Sequence, residues 1–212
     1  MNEDRSETQD NVDLQIINKM NQEFAVSLDL NETLKTALQI IIARLEAQAA
    51  NVFLISNKIK KFECIASINQ DHLEEYKLEL TDGVMAKAVD QRKCIRVGNV
   101  RKDVREIAEF YFDLDNKTNF TTYSVLCAPL IAANDCIGVI HCLNKKTNEK
   151  LFIEDDPKLL ELLSTPAALA IRNAKMAQEM VEQNKIQKEV EIVGEIQKSL
   201  LSSNKKEPFP LA

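Results

Sequence analysis

Residues 124–144 constrain the fold more than any other stretch. Two apolar runs, Ser124–Ala132 and Cys136–Asn144, are separated by Ala133-Asn134-Asp135 alone. A connection that short, made of residues that accept tight-turn geometry, joins neighbouring antiparallel strands. Earlier segments carry the same pattern in shorter pieces. Asn51–Ile55 reads as a buried-type strand, and Phe62–Ser67 as a second one after the turn-like Ser56-Asn57-Lys58. Lys77–Leu80 alternates cleanly, and Cys94–Val97 is a fourth strand. The basic run Lys58–Lys61 reads as a solvated hairpin.

Either side of the strands the period changes to that of a helix. Val12, Ile16, Met20 and Phe24 fall four apart with Ile17 beside them. Asn31 is placed to cap a second helix, in which Leu34, Leu38, Ile41, Ile42 and Leu45 form a core-facing stripe. Gly83 precedes a short helix, Val84–Gln91, and the polar, mixed stretch 98–123 holds another near Val104–Tyr111. A long helix runs from near Asp156 to Leu201. Its first half, with Leu159, Leu160, Leu162, Leu163, Ala167, Leu169, Ala170 and Ile171, is apolar nearly all round and should pack on the sheet, disturbed locally by Pro166. Beyond Asn173, Ile186, Val190, Val193, Gln197 and Leu200 alternate four and three apart, a coiled-coil seam. Ala170, Ala174, Ala177 and Val181 follow that spacing in another phase, which predicts a stutter or break, and Gly194 weakens the helix further. The order of elements predicts an α+β fold with a largely antiparallel sheet. The expected division is a disordered tail (1–10), a folded domain (11–175), a helical arm (176–203) and a terminal tail (204–212).

Composition narrows the function. The 212 residues, 45% of them apolar, suffice for one domain plus extensions, a core of ~150 residues burying roughly 70% of its unfolded surface. A net charge of −6 argues against a nucleic-acid partner, which needs a basic face. The cysteines number five, without a CxxC pair, and fit free thiols in a reducing cytoplasm. The acidic N-terminus is unlike a signal peptide, and the apolar patches fall far short of the ~18 residues that span a membrane, so a cytoplasmic location without membrane contact is expected. There is no GxSxG, HExxH, P-loop or GxGxxG. His72 and His141 have no ligand spacing around them, and Cys142 beside His141 points to the opposite face of a strand. No catalytic residue and no metal site is expected.

The block Thr118–Leu130, followed by Ile137-Gly138-Val139-Ile140-His141-Cys142-Leu143-Asn144-Lys145, resembles the GAF family, most nearly the GAF domains of cyclic-nucleotide phosphodiesterases and certain bacterial cyclases. Their signature of Asn-Lys, a later Phe and then Asp-Glu is matched by Asn144, Lys145, Phe152 and Asp156, with Pro157 where Glu is usual. The resemblance implies a six-stranded antiparallel, GAF/PAS-like sheet, terminal helices on one face and a ligand pocket on the other. It implies that the signature Lys and Asp pair structurally. Carried across, the pocket takes in Asn51, Ile65, Ala66, Val84, Met85, Tyr111, Thr118, Thr122 and His141. Cyclic AMP or cyclic GMP is the implied ligand. Thr118 and Thr122, four apart on a helical turn, would hold phosphate or else cap the helix. His141 would meet the base edge, and Tyr111 or Phe120 would stack on it. Ala66-Ser67 departs from the family, where a polar or acidic partner is usual. Bilin attachment lacks its motif, and haem would have His141 alone. Val190–Leu201 with Pro208 is similar to the linker preceding bacterial stress- and sporulation-type metal-dependent serine phosphatase domains, so the chain is expected to be a fragment or regulatory half, working as a homodimer. The alternative is a ligand-free dimerisation or docking module.

Overall fold

The computed structural model describes residues 14–15, 17–20, 22, 30–56, 60–70, 73, 77–80, 83–102, 105–147 and 149–203. The sheet is built from β1 (Ala47–Ser56), β2 (Lys61–Ile68), β3 (Lys77–Glu79), β4 (Ile95–Val97), β5 (Val125–Ala132) and β6 (Asp135–Lys145). Its six strands lie in the order β3-β2-β1-β6-β5-β4, every described pair antiparallel. The β5–β6 hairpin turns on Ala133 and Asn134, both left-handed (φ 46° and 72°), the backbone of a two-residue turn whose twist matches the strands. Asp135, expected in the turn, already pairs with Ala132. At the far edge, short β3 carries the cross-strand pairs Lys61–Glu79 (2.6 Å) and Lys77–Glu63 (3.1 Å), whose exposed charges blunt the edge.

One face of the sheet is covered by α1 (Leu30–Leu45) and the first part of α4 (Asp156–Ser203). The stripe Leu34, Leu38, Ile41, Ile42 and Leu45 is buried against Ala50, Val52, Leu126, Ala128, Ile140 and Cys142. Each such large side chain contributes about 1.5–3 kcal/mol by leaving water. Met20 joins this core, while Val12, Ile16 and Phe24 lie outside the described residues. Leu160, Leu163, Ala167, Ala168 and Ile171 seat α4. The expectation of an all-round apolar helix is corrected here: Leu162 and Leu169 are 41% and 50% exposed, because a helix on a sheet buries a stripe. The helix continues through Pro166.

The opposite face is roofed by α2 (Gly83–Gln91), α3 (Arg105–Thr118) and the loops around them. Two element bounds differ usefully from expectation. Strand β1 starts at Ala47, four residues before Asn51, because the run Ala47-Gln48-Ala49-Ala50 has no β-branched residue to announce a strand. Helix α3 continues past Tyr111 to Thr118, its second half hidden by Asp113, Asp115, Asn116 and Lys117. Asn31 falls one residue inside α1.

The chain divides into two units, one ending at Arg172 and the other beginning at Asn173. In the second, the described residues 173–203 are helical, and the seam residues Ile186, Val190, Val193 and Leu200 are all more than half exposed. The tails 1–10 and 204–212 lie outside the described residues.

Candidate functional site

Strand alternation carries one polar row across the roof-side face. The register pairs Ser67 with Asn51, Asn51 with His141, His141 with Cys127 and Cys127 with Ile95, running through five strands. Cross-strand partners share a face, so these side chains stand side by side. Asn51 is fully buried. Its Nδ2 donates to Gln70 Oε1 at 2.6 Å, and its Oδ1 accepts from Ser67 Oγ at 2.8 Å. Ser67 Oγ also lies 2.9 Å from the Gln70 carbonyl oxygen. Tyr111 reaches the row from α3, its hydroxyl 2.7 Å from His141 Nε2 and its ring near-parallel to the imidazole (16°, centroids 5.7 Å apart). Phe53 meets the same imidazole edge-on at 6.0 Å. Two buried polar atoms of this group have no partner: Gln70 Nε2 and His141 Nδ1.

The row is electrically neutral. Desolvation pushes the His141 pKa down to about 3, so the imidazole is uncharged. Burial, with the nearby Cys127 and Asp115, holds the Tyr111 hydroxyl protonated well above its ordinary range. Burial likewise keeps Cys127 and Cys142 as thiols, and Cys94 is pushed up to about 12 by burial and by Glu161. These are inert sulfurs rather than activated thiolates. Among the described residues, no group of three or more His, Cys, Asp or Glu side chains could hold a metal ion.

The signature residues form a second buried polar group. Lys145 Nζ contacts both oxygens of Asp156 at 2.6 and 2.8 Å, and Asp156 Oδ2 accepts from the Ile153 N–H at 2.7 Å. Phe152 is buried in the helix-side core. Asn144, left-handed at φ 54°, accepts from the Tyr123 and Ser124 N–H groups and donates to Gln48 Oε1 and the Thr121 carbonyl oxygen. It ties the entry of β5 to the end of β6.

Of the sequence-expected pocket residues, Asn51, Tyr111 and His141 are brought into contact with one row, and Val84 and Met85 are buried in the apolar roof beside it. Ile65 and Ala66 are not in that group: both pack toward the helix-side core. The reason is a β-bulge, since Val52 pairs with Ala66 but Phe53 pairs with Cys64, leaving Ile65 as an extra residue. Thr118 and Thr122 do not share a helical face. Thr118 ends α3 and donates back to the Leu114 carbonyl oxygen at 2.9 Å; Thr122 lies beyond the helix and donates to Asp115 Oδ1 at 2.6 Å. Asp115 also accepts from the Thr122 N–H and from Arg101, so this corner is a local knot. An adjoining surface cavity of about 260 Å³ is lined by Arg101, Phe112, Asp115, Asn116, Asn119, Phe120 and Thr121. Sequence reasoning missed Gln70 and took Ser67 only as part of a departure from the family, although its hydroxyl is a polar partner of Asn51. Only the polarity of Ser67-Ile68-Asn69-Gln70 after an apolar strand pointed to them.

A family model described as a GAF domain matches residues 27–172. The chain belongs to the GAF domain family. Its relatives include the probable 3′,5′-cyclic phosphodiesterase pde-5 of Caenorhabditis elegans, 24% identical over 142 residues that cover 62% of this chain and 19% of that protein. Another is the dual 3′,5′-cyclic-AMP and -GMP phosphodiesterase 11A of Takifugu rubripes, 23% identical over 160 residues, 70% of this chain and 17% of that one. The chain thus spans less than a fifth of either relative's length. The GAF domain of an Acinetobacter phosphoenolpyruvate-protein phosphotransferase superposes with a TM-score of 0.63 at 17% identity, over 78% of this chain and 96% of that one. Free methionine-R-sulfoxide reductase from Neisseria meningitidis superposes at 0.61 with 16% identity, over 78% and 91%. This GAF fold is therefore shared with an enzyme, and the chemistry of each GAF domain rests on its own side chains. In the present GAF domain, no described helix is long and apolar enough to cross a membrane.

Proposed function

We propose that this GAF domain is a regulatory module that senses a small molecule on its roof-side face and passes occupancy to an output domain through a dimeric helical arm. One observation carries the reading: Asn51, Gln70 and His141 are buried side by side, yet Gln70 Nε2 and His141 Nδ1 are without partners. Buried polar groups are ordinarily satisfied, and an exception is where a ligand's complementary groups fit. Cyclic AMP and cyclic GMP are the ligands that the phosphodiesterase relatives suggest. The exposed arm seam supports a parallel pairing with a second copy, and the Glu195-Ile196-Gln197-Lys198-Ser199-Leu200-Leu201 resemblance supports a serine phosphatase as the output. Calorimetric titration with the two cyclic nucleotides tests the ligand, and light scattering of the 212-residue chain tests the dimer. A saturating heat change on a dimeric species is expected. A monomer would sink the arm's role.

The second reading, a ligand-free dimerisation or docking module, is favoured by the way Tyr111, Val84, Met85 and Leu114 fill the same face. Under it, no small molecule perturbs the His141 imidazole, while the dimer persists.

A further inference from the structure

The roof-side face is specific about charge. Among the described residues, its polar row is made by Ser67, Asn51, Gln70, His141 and Tyr111, none of them ionised at neutral pH. Among the described residues, Lys145 is the buried cation, and Asp156 holds it. Arg101, at the rim, is bound to Asp115. The hydroxyls best placed to take a phosphate are committed, Thr118 to a carbonyl oxygen and Thr122 to the Asp115 carboxylate. Asp115 itself lies one helical turn beyond Tyr111, only 6% exposed, with its carboxylate taken up by Arg101 and Thr122, so this corner offers a phosphate no free counter-charge.

What the face does offer is flat and neutral. The Tyr111 ring lies near-parallel to the imidazole, and the two orphaned atoms sit on side chains linked through Asn51, which bonds Gln70 and pairs in register with His141. A neutral imidazole presents one donor and one acceptor nitrogen, so Nδ1 takes the role that Nε2 does not, while the Gln70 amide nitrogen is a donor. The complement is a planar molecule with donor and acceptor atoms along one edge and no charge.

We propose that the ligand of this face is an uncharged planar nitrogen heterocycle, a nucleobase or nucleoside, read along its hydrogen-bonding edge by Gln70 Nε2 and His141 Nδ1, and not a phosphate ester. This rests on the sensing reading above and changes its chemical class. The test titrates the full chain with adenosine, guanosine, cytidine and uridine, and in parallel with cyclic AMP and cyclic GMP. Calorimetry and the imidazole NMR resonances of His141 are the readouts. One nucleoside should bind with a Kd of about 100 μM or tighter, and its phosphate esters about tenfold more weakly or not at all. Gln70→Leu should weaken that nucleoside by about tenfold and also lower the melting temperature, since Asn51 Nδ2 loses its acceptor; His141→Asn is the second variant, which leaves the Asn51–Gln70 bond in place. A cyclic nucleotide that binds as tightly as its nucleoside, or alone, overturns the inference and leaves the sensing reading standing. If neither series moves the His141 resonances at about 2 mM, where even weak binding registers, both fall and the docking reading replaces them.

Discussion

Two of the polar groups that the domain buries are built on opposite terms. Around Asn144, Lys145 and Asp156, both side-chain atoms of Asn144 are bonded, and the ammonium and carboxylate face each other with a backbone N–H to spare. Across the sheet, Asn51, Gln70 and His141 are equally buried, and they leave two atoms open. The first group is complete without anything from outside, as befits a clamp between β6, the β5 entry and α4. The second is incomplete by itself. Burial alone does not tell a functional polar cluster from a structural one; completeness does.

That contrast can be broken by substitution. The largest effect should come from Asp156→Ala, which leaves Lys145 buried without its partner and should lose about 4 kcal/mol in urea unfolding. Replacing Lys145 and Asp156 together by Met and Leu should recover most of it, since a buried pair exchanged for apolar side chains is often neutral. Asn144→Ala comes next, at about 3 kcal/mol, because it removes four hydrogen bonds and leaves a left-handed backbone on a residue that disfavours it. A loss under 1 kcal/mol at either site, against the rough 3–5 expected of a broken buried pair, would mean that the clamp is not what holds α4 and the β5 entry.

The open row should show itself through pH. Folded His141 stays neutral down to about 3, whereas an unperturbed imidazole takes up its proton near 6.5. Below 6.5 the unfolded chain binds a proton that the folded one refuses, so stability falls as pH falls across that window. Between pH 6.5 and 5 the difference between wild type and His141→Phe should change by about 2 kcal/mol, a comparison in which His72 and the surface carboxylates cancel. A flat difference would mean that the imidazole takes up its proton inside the fold. The smallest effect is expected from the double change Tyr111→Phe/His141→Phe, within about 1 kcal/mol at pH 7, because both partners of one hydrogen bond leave together. A loss of about 3 kcal/mol would make the row as structural as the clamp and erase the comparison.

The fold was readable wherever large apolar side chains keep a period. The α1 stripe and the β5–β6 hairpin are of that kind, and both are buried as the spacing implies. Legibility failed where small or polar residues carry the element. Ala47–Ala50 forms the start of β1 although alanine favours helices, since pairing with β6 outweighs propensity. The polar end of α3 turns on Asp115, whose bonds to Thr122 and Arg101 are tertiary and leave no periodic trace. For the site, Asn51, Tyr111 and His141 were legible through resemblance, while Ser67 and Gln70 were not. Strict alternation assigns the residues of β2 to faces by counting, and the extra residue at Ile65 resets the count.

That extra residue bears on how chains of this fold are to be aligned. In β2 a gap of one position is not a neutral bookkeeping step. Deleting Ile65 would restore the regular pleat with Cys64 still opposite Phe53, Ala66 opposite Val52 and Ser67 opposite Asn51, so the gap leaves every outlook intact only when it is placed at this residue. A homologue lacking the insertion therefore meets its counterpart of Asn51 two residues after its counterpart of Cys64, where this chain needs three. Matching Ser67 by column alone would pair it with side chains that face the other way.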